Sequence, residues 1–128
     1  MWELSDWMTE LLSAVWTYQN STTGAVNNHP NTNDFPDSSS TALFAAATYR
    51  LAVITGDLAM IGNAEKAFNY IAAHIDDHGM LLGSVDPLIW DTPNTQSPEG
   101  QAFVLLLQSA WRDFVAWENS GAAPLLVQ

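Results

Sequence analysis

The chain has 128 residues, of which 48% are hydrophobic and only 13% charged, and its three Lys and Arg face fourteen Asp and Glu for a net charge of −11. So few bases exclude a nucleic-acid binder, because phosphate contacts need clustered cations, and they argue against docking on an anionic membrane surface. The absence of cysteine removes disulfides and thiolate metal sites alike.

This length reads as a single domain over residues 1–128. The charged fraction is about half the usual ~25%, so a small domain's ordinary coating of Lys, Glu, Arg and Asp is missing. Either Asn, Ser, Thr and Gln dress the surface, or part of the apolar surface meets something outside this chain. No apolar run reaches membrane-spanning length. The first ten residues carry acids in place of a basic leader region, so no signal peptide is expected in this stretch and localisation stays open.

In chain order, "WELSDWMTELLSAVWTYQ" sets Leu4, Trp7, Met8, Leu11, Leu12, Val15 and Trp16 on one helical stripe, with Glu3, Asp6 and Glu10 opposite. An amphipathic helix is expected. The following "NSTTGAVNNHPNTNDFPDSSS" reads as a long loop, a length that goes with function or disorder. Asp37 and Ser38 to Ser40 offer caps for the next helix. That helix, "STALFAAATYRLAVIT", is small and apolar nearly all round, as buried helices are. Gly56 supplies its left-handed stop.

Asp57 is expected to cap a third helix, "LAMIGNAEKAFNYIAAHI", with Glu65, Lys66 and Asn69 wet and Ile61, Ala64, Phe68, Ile71 and Ile75 dry. The connection "DDHGMLLGSVDPLIWDTPNTQ" suggests a short extended piece at residues 80–82. Ser97 then caps a last helix with Pro98 at its favoured first position, running to about Glu118 before Gly121 and Pro124. Wet and dry helices alternate, which is the sign of two concentric layers. The expected fold is all-α, a partial (α/α) toroid of about four main helices paired as antiparallel hairpins. The two dry helices look shaped for a larger closed ring than four helices can make.

The blocks "NDFPDSSSTALFAAATYRLAVITGD" and "SPEGQAFVLLLQSAWRDF" resemble the C-terminal part of six-hairpin glycosidases of the unsaturated rhamnogalacturonyl and glucuronyl hydrolase type, glycoside hydrolase families 105 and 88, chiefly their fungal relatives. The resemblance implies a C-terminal fragment of an (α/α)6 barrel that hydrolyses unsaturated uronyl sugars of pectin-like oligosaccharides. In that family the acid/base aspartate and most substrate-positioning aromatic residues lie on the N-terminal half, which nothing here matches. No catalytic residue carries over, and the chain alone is expected to be inactive. The inner-helix starts of such barrels border the substrate cleft, which makes residues 34–41 and 97–101 rim candidates.

Each candidate has a plainer reading. Asp34 and Asp37 bracket Phe35-Pro36; two carboxylates and a ring suit a glycosidase cleft, but aspartate also makes turns and caps. Ser38 belongs to the same junction. Glu99 can accept a sugar hydroxyl or simply complement the helix dipole. Trp90 beside Asp91 can stack on a sugar ring, whereas Trp2, Trp7, Trp16, Trp111 and Trp117 sit at packing positions. His74, Asp76, Asp77 and His78, with His29 elsewhere, resemble a ligand cluster, yet they fall at a helix end where histidine suits the dipole. No metal and no cofactor are expected. The partner expected is an oligosaccharide, and exposed apolar helix faces leave room for self-association as a non-catalytic module.

Overall fold

A computed structural model describes residues 2–94 and 96–127, the side chains of Trp2 and Val127 excepted, so the expectation that Trp2 packs lies outside it. Among the described residues four α-helices form: α1 (Trp2–Trp16), α2 (Ser38–Thr55), α3 (Ile61–Ala73) and α4 (Pro98–Ser120). A two-residue antiparallel hairpin, β1 (Ser84–Val85) with β2 (Pro93–Asn94), precedes α4 and was not foreseen. Isolated bridges join Ile75 to Leu81, at the expected extended piece, and Asn27 to Pro36.

The helix ends follow local chemistry. The Asp37 carboxylate accepts the Ser39 and Ser40 amides at 3.2 and 2.9 Å and starts α2. Gly56 ends α2 in the left-handed conformation, φ 77°, donating to Ala52 O at 2.7 Å. Ser97 Oγ accepts the Gly100 amide at 3.0 Å, Pro98 occupies the first turn, and Gly121 closes α4. The third helix starts later than expected. Asp57 instead caps a turn by accepting the Ala59 amide at 2.9 Å, and Met60 precedes α3 without a side-chain cap.

Contacts fix the directions. Ser38 at the start of α2 meets Ser84, which packs on Gly100 at the start of α4, while Tyr49 meets Phe114 further along both. The two helices are therefore parallel neighbours. Phe68 stacks on Trp111, and Phe68, Ile75, Val104 and Leu107 line one α3–α4 groove, which places α3 antiparallel to both. Helix α1 is antiparallel to α2: Trp16 meets Thr48 and Phe44, and Leu4 and Met8 face Leu51 and Ile54. Two parallel helices in one layer with two reversed helices outside them is the two-layer arrangement that wet–dry alternation predicts.

The core is built on alanine: Ala42, Ala45, Ala46 and Ala52 of α2, Ala64 and Ala67 of α3 and Ala110 of α4 are all buried, which lets the helices approach closely. Tyr49, Leu12, Leu81 and Leu107 fill the remaining space. Gly24, at φ 85°, turns the loop so tightly against the Lys66 carbonyl that a Cβ has no room.

Two expectations need amending. Helix α2 is better covered by its own neighbours than its apolar pattern led one to expect, with ten of its residues buried. Helix α4 is different: Leu107 is 2% exposed but Leu105 and Leu106 are 68% and 51% exposed. On α1 the stripe is wider than one partner helix can cover. Ser5, Leu12 and Trp16 turn inward, and Leu4, Trp7 and Leu11 remain open to solvent, Trp7 contrary to its expected packing role. Among the described residues no helix is long and apolar enough to cross a membrane.

Candidate functional site

Because α2 and α4 are parallel, their N-termini share one end of the molecule, and residues 26–37 of the preceding loop and the hairpin 84–94 close over that end. Asp37 donates its amide to Val26 O at 3.0 Å, and Ser38 donates its own to Gly83 O at 3.1 Å. Every sequence-singled rim residue, Asp34, Asp37, Ser38, Trp90 and Glu99, lies on these segments, so one end carries all five.

They differ in what they offer. Asp37 is 3% exposed and serves as a hub: Oδ1 also accepts the Val85 amide at 2.9 Å and the Ser39 hydroxyl at 2.7 Å. Ser38 is fully buried, its hydroxyl 3.2 Å from that of Ser84. These two join the start of α2 to the base of the hairpin. Glu99 is exposed in the first turn of α4 and accepts the Ser97 hydroxyl at 3.3 Å, a position that suits the positive end of the helix dipole.

Asp34 stands in the open part of the rim. Its Oδ2 accepts His29 Nδ1 at 2.6 Å and Asn28 Nδ2 at 3.3 Å, and its Oδ1 accepts the Phe35 amide at 2.8 Å. The His29 hydrogen bond, then the Phe35 amide, hold this carboxyl below the usual carboxylate range. The His29 side chain is about half exposed (54%). Sequence reading weighed His29 only as a stray metal ligand and passed over Asn28; the sole signal was a histidine five residues before an aspartate within one polar loop.

Trp90 is 72% exposed at the tip of the hairpin, flanked by Leu88 and Ile89, which are also exposed. Asp86 shapes the tip by accepting the Leu88 and Ile89 amides at 2.8 and 3.1 Å, and its own amide donates to Thr92 O at 2.8 Å. The indole N–H donates to Pro87 O at 3.1 Å. Asn28 Nδ2 donates to Trp90 O at 2.7 Å, so the same amide nitrogen holds both Asp34 and the tryptophan loop.

The remaining acid–histidine stretch resolves into local structure. His74 Nδ1 donates to Tyr70 O at 2.7 Å beneath the Tyr70 ring, and Asp76 accepts the Met80 amide and, secondarily, the His78 amide, which lowers its pKa. Among the described residues no three His, Cys, Asp or Glu are placed to hold one metal ion. An apolar groove of about 260 Å³ between α1 and α2, lined by Leu4, Met8, Leu51 and Ile54 among others, includes none of the rim residues.

Comparison with known proteins agrees with this architecture. No protein-family model and no curated protein matches the chain. Solved structures similar to it include possible members of the GH105 family from Salmonella enterica serovar Paratyphi A and from Klebsiella pneumoniae, with TM-scores of 0.69 and 0.68. Each is 24% identical, and the match covers 80% of this chain but only 30% of theirs. Such proteins are (α/α)6 toroids. The chain thus has a glycoside-hydrolase-like helical fold that resembles part of a GH105-type toroid.

Proposed function

We propose that this chain forms wall and rim of a glycoside hydrolase acting on unsaturated uronyl oligosaccharides of the pectin or rhamnogalacturonan type, corresponds to the C-terminal portion of such an enzyme, and hydrolyses poorly alone. One observation carries the reading: two parallel inner helices start at a shared polar end with an exposed tryptophan, in a fold similar to GH105-family structures over four-fifths of the chain. The share of those structures covered, 30%, supports the view that the catalytic groups lie outside this set of residues. Asp34, Trp90 and Glu99 border the sugar, and Asp37 and Ser38 hold the rim in shape. The test is incubation of the 128-residue chain with an unsaturated galacturonyl disaccharide, following the absorbance of the ring double bond. Binding with negligible turnover is expected; turnover near that of a complete enzyme would overturn the inactive-alone part.

A second reading, a non-catalytic module that self-associates, is favoured by exposed Leu4, Trp7 and Leu11 on α1 and Leu105 and Leu106 on α4. Sedimentation at increasing protein concentration separates the two: a monomer at every concentration counts against the module.

A further inference from the structure

We infer that a cavity walled by α2, α3 and α4 is a separate binding site for a small primary amine, held by Tyr49, Glu65 and Asn69 and seated against Phe68 and Trp111. This goes beyond the carbohydrate reading and does not depend on it. The five residues line one open cavity of about 280 Å³, and no rim residue is among them. Tyr49 stands eleven residues into α2, about 17 Å from its rim end at the helical rise of about 1.5 Å per residue.

Tyr49 is the telling member. It is 1% exposed and its ring packs on Phe114 at 5.2 Å, yet among the described residues its hydroxyl has no hydrogen-bond partner. No sealed side-chain oxygen among those residues lacks a partner, so this hydroxyl is reached through the cavity that Tyr49 lines. A desolvated hydroxyl left unpaired is destabilising, and a ligand N–H at its oxygen relieves that. Glu65 and Asn69 are exposed and lie one turn apart on the same face of α3. Their side chains likewise engage in no hydrogen bond or ion pair among the described residues.

The chemistry of this set points to one class of ligand. A phenol oxygen, a carboxylate and an amide carbonyl are three kinds of acceptor, and a primary ammonium carries three N–H donors. Glu65 is the only charged residue lining the cavity; Lys66 and Arg112, the sequence neighbours of Glu65 and Trp111, do not line it. In a chain of net charge −11 a cation is therefore attracted there and an anion repelled. The Phe68 and Trp111 rings, stacked with centroids 5.2 Å apart, supply an aromatic wall for the carbon stem of the amine. A few polar groups converging on an otherwise apolar hollow is the usual make-up of a small-molecule site.

The intact chain is titrated with phenethylamine, phenethyl alcohol and 3-phenylpropionate at constant ionic strength. NMR follows the Trp111 indole N–H, assigned by comparison with Trp111→Phe, and the Glu65 and Asn69 amides. Saturable shifts at all three residues are expected with the amine, weaker binding with the alcohol and none with the carboxylate. Glu65→Gln alters an exposed side chain and keeps its size; it is expected to weaken the amine about tenfold, the loss of a charged hydrogen bond. Tyr49→Phe, which removes one oxygen, is expected to weaken it several-fold, with a thermal melt showing that each variant is folded. Amine affinity unchanged in either variant, alcohol binding as tightly as the amine, or shifts confined to other residues overturns the site. None of these results bears on the disaccharide incubation, so the carbohydrate reading is tested separately.

Discussion

Trp16 Nε1 donates to Thr48 Oγ1 at 3.0 Å, a hydrogen bond between two buried side chains that joins α1 to α2. Thr48 in turn donates to the Phe44 carbonyl, so its hydroxyl is used in both directions. Thr48→Val keeps the shape and strands the indole N–H in an apolar contact. A loss of about 1–3 kcal/mol is expected, seen as a lower urea midpoint at unchanged slope. Thr48→Ser should recover most of it. A Thr48→Val chain as stable as the parent would mean that the bond contributes nothing.

Gly100 begins α4 against the hairpin. A Cβ there would stand 2.6 Å from Ser84 Oγ, itself engaged with Ser38, and 3.2 Å from Leu81 Cδ2. Gly100→Ala must push the hairpin away from the helix, at a cost of about 1–3 kcal/mol for overpacking. The same substitution at Gly62, which meets nothing within 4 Å, provides the control: an exposed helical glycine replaced by alanine gains about 1 kcal/mol. Thermal melts of the two variants should move in opposite directions.

Burial, aided by the nearby Glu65 carboxylate, pushes the Tyr49 phenol up to about 12. The folded chain therefore holds this proton more tightly than the unfolded chain does. Its contribution to stability is complete below about pH 10, the ordinary phenol range, and is lost as pH rises through 10 towards 12. Tyr70, raised chiefly by burial, adds to the same trend. Alkaline denaturation should be shallower in Tyr49→Phe than in the parent. Equal slopes would show that Tyr49 ionises freely in the folded state.

Leu105 and Leu106 point out of the core. Replacing both with Gln should alter folding stability by about 0.5 kcal/mol or less, as exposed substitutions do, while lowering binding of a hydrophobic dye and any concentration-dependent sedimentation. A large drop in stability would instead place these leucines within the chain's own packing.

Much of this was legible in the residues. Asp37, Ser97, Gly56 and Gly121 announced helix ends because capping is a local matter of one side chain and the next few amides. The two-layer order followed from the nearly all-apolar character of α2; α4, which carries Gln108, Ser109, Arg112 and Asp113, keeps an exposed side. Three features escaped. Strands of two residues, one containing Pro93, have no periodicity to detect. The inward face of α1 depends on how much of its stripe α2 can cover, a tertiary quantity. His29 and Asn28 acquire meaning only through Asp34 and the carbonyl of Trp90, the last 62 positions away from Asn28.

A single carboxylate, that of Asp37, receives the amides of Ser39 and Ser40 at the head of α2 and of Val85 in β1, forty-eight positions downstream. Fraying of that helical turn and detachment of the hairpin are consequently one opening event. In native-state hydrogen exchange these three protons should report a shared opening free energy, and Asp37→Ala should accelerate all of them together, leaving amides in the middle of α4 as slow as before.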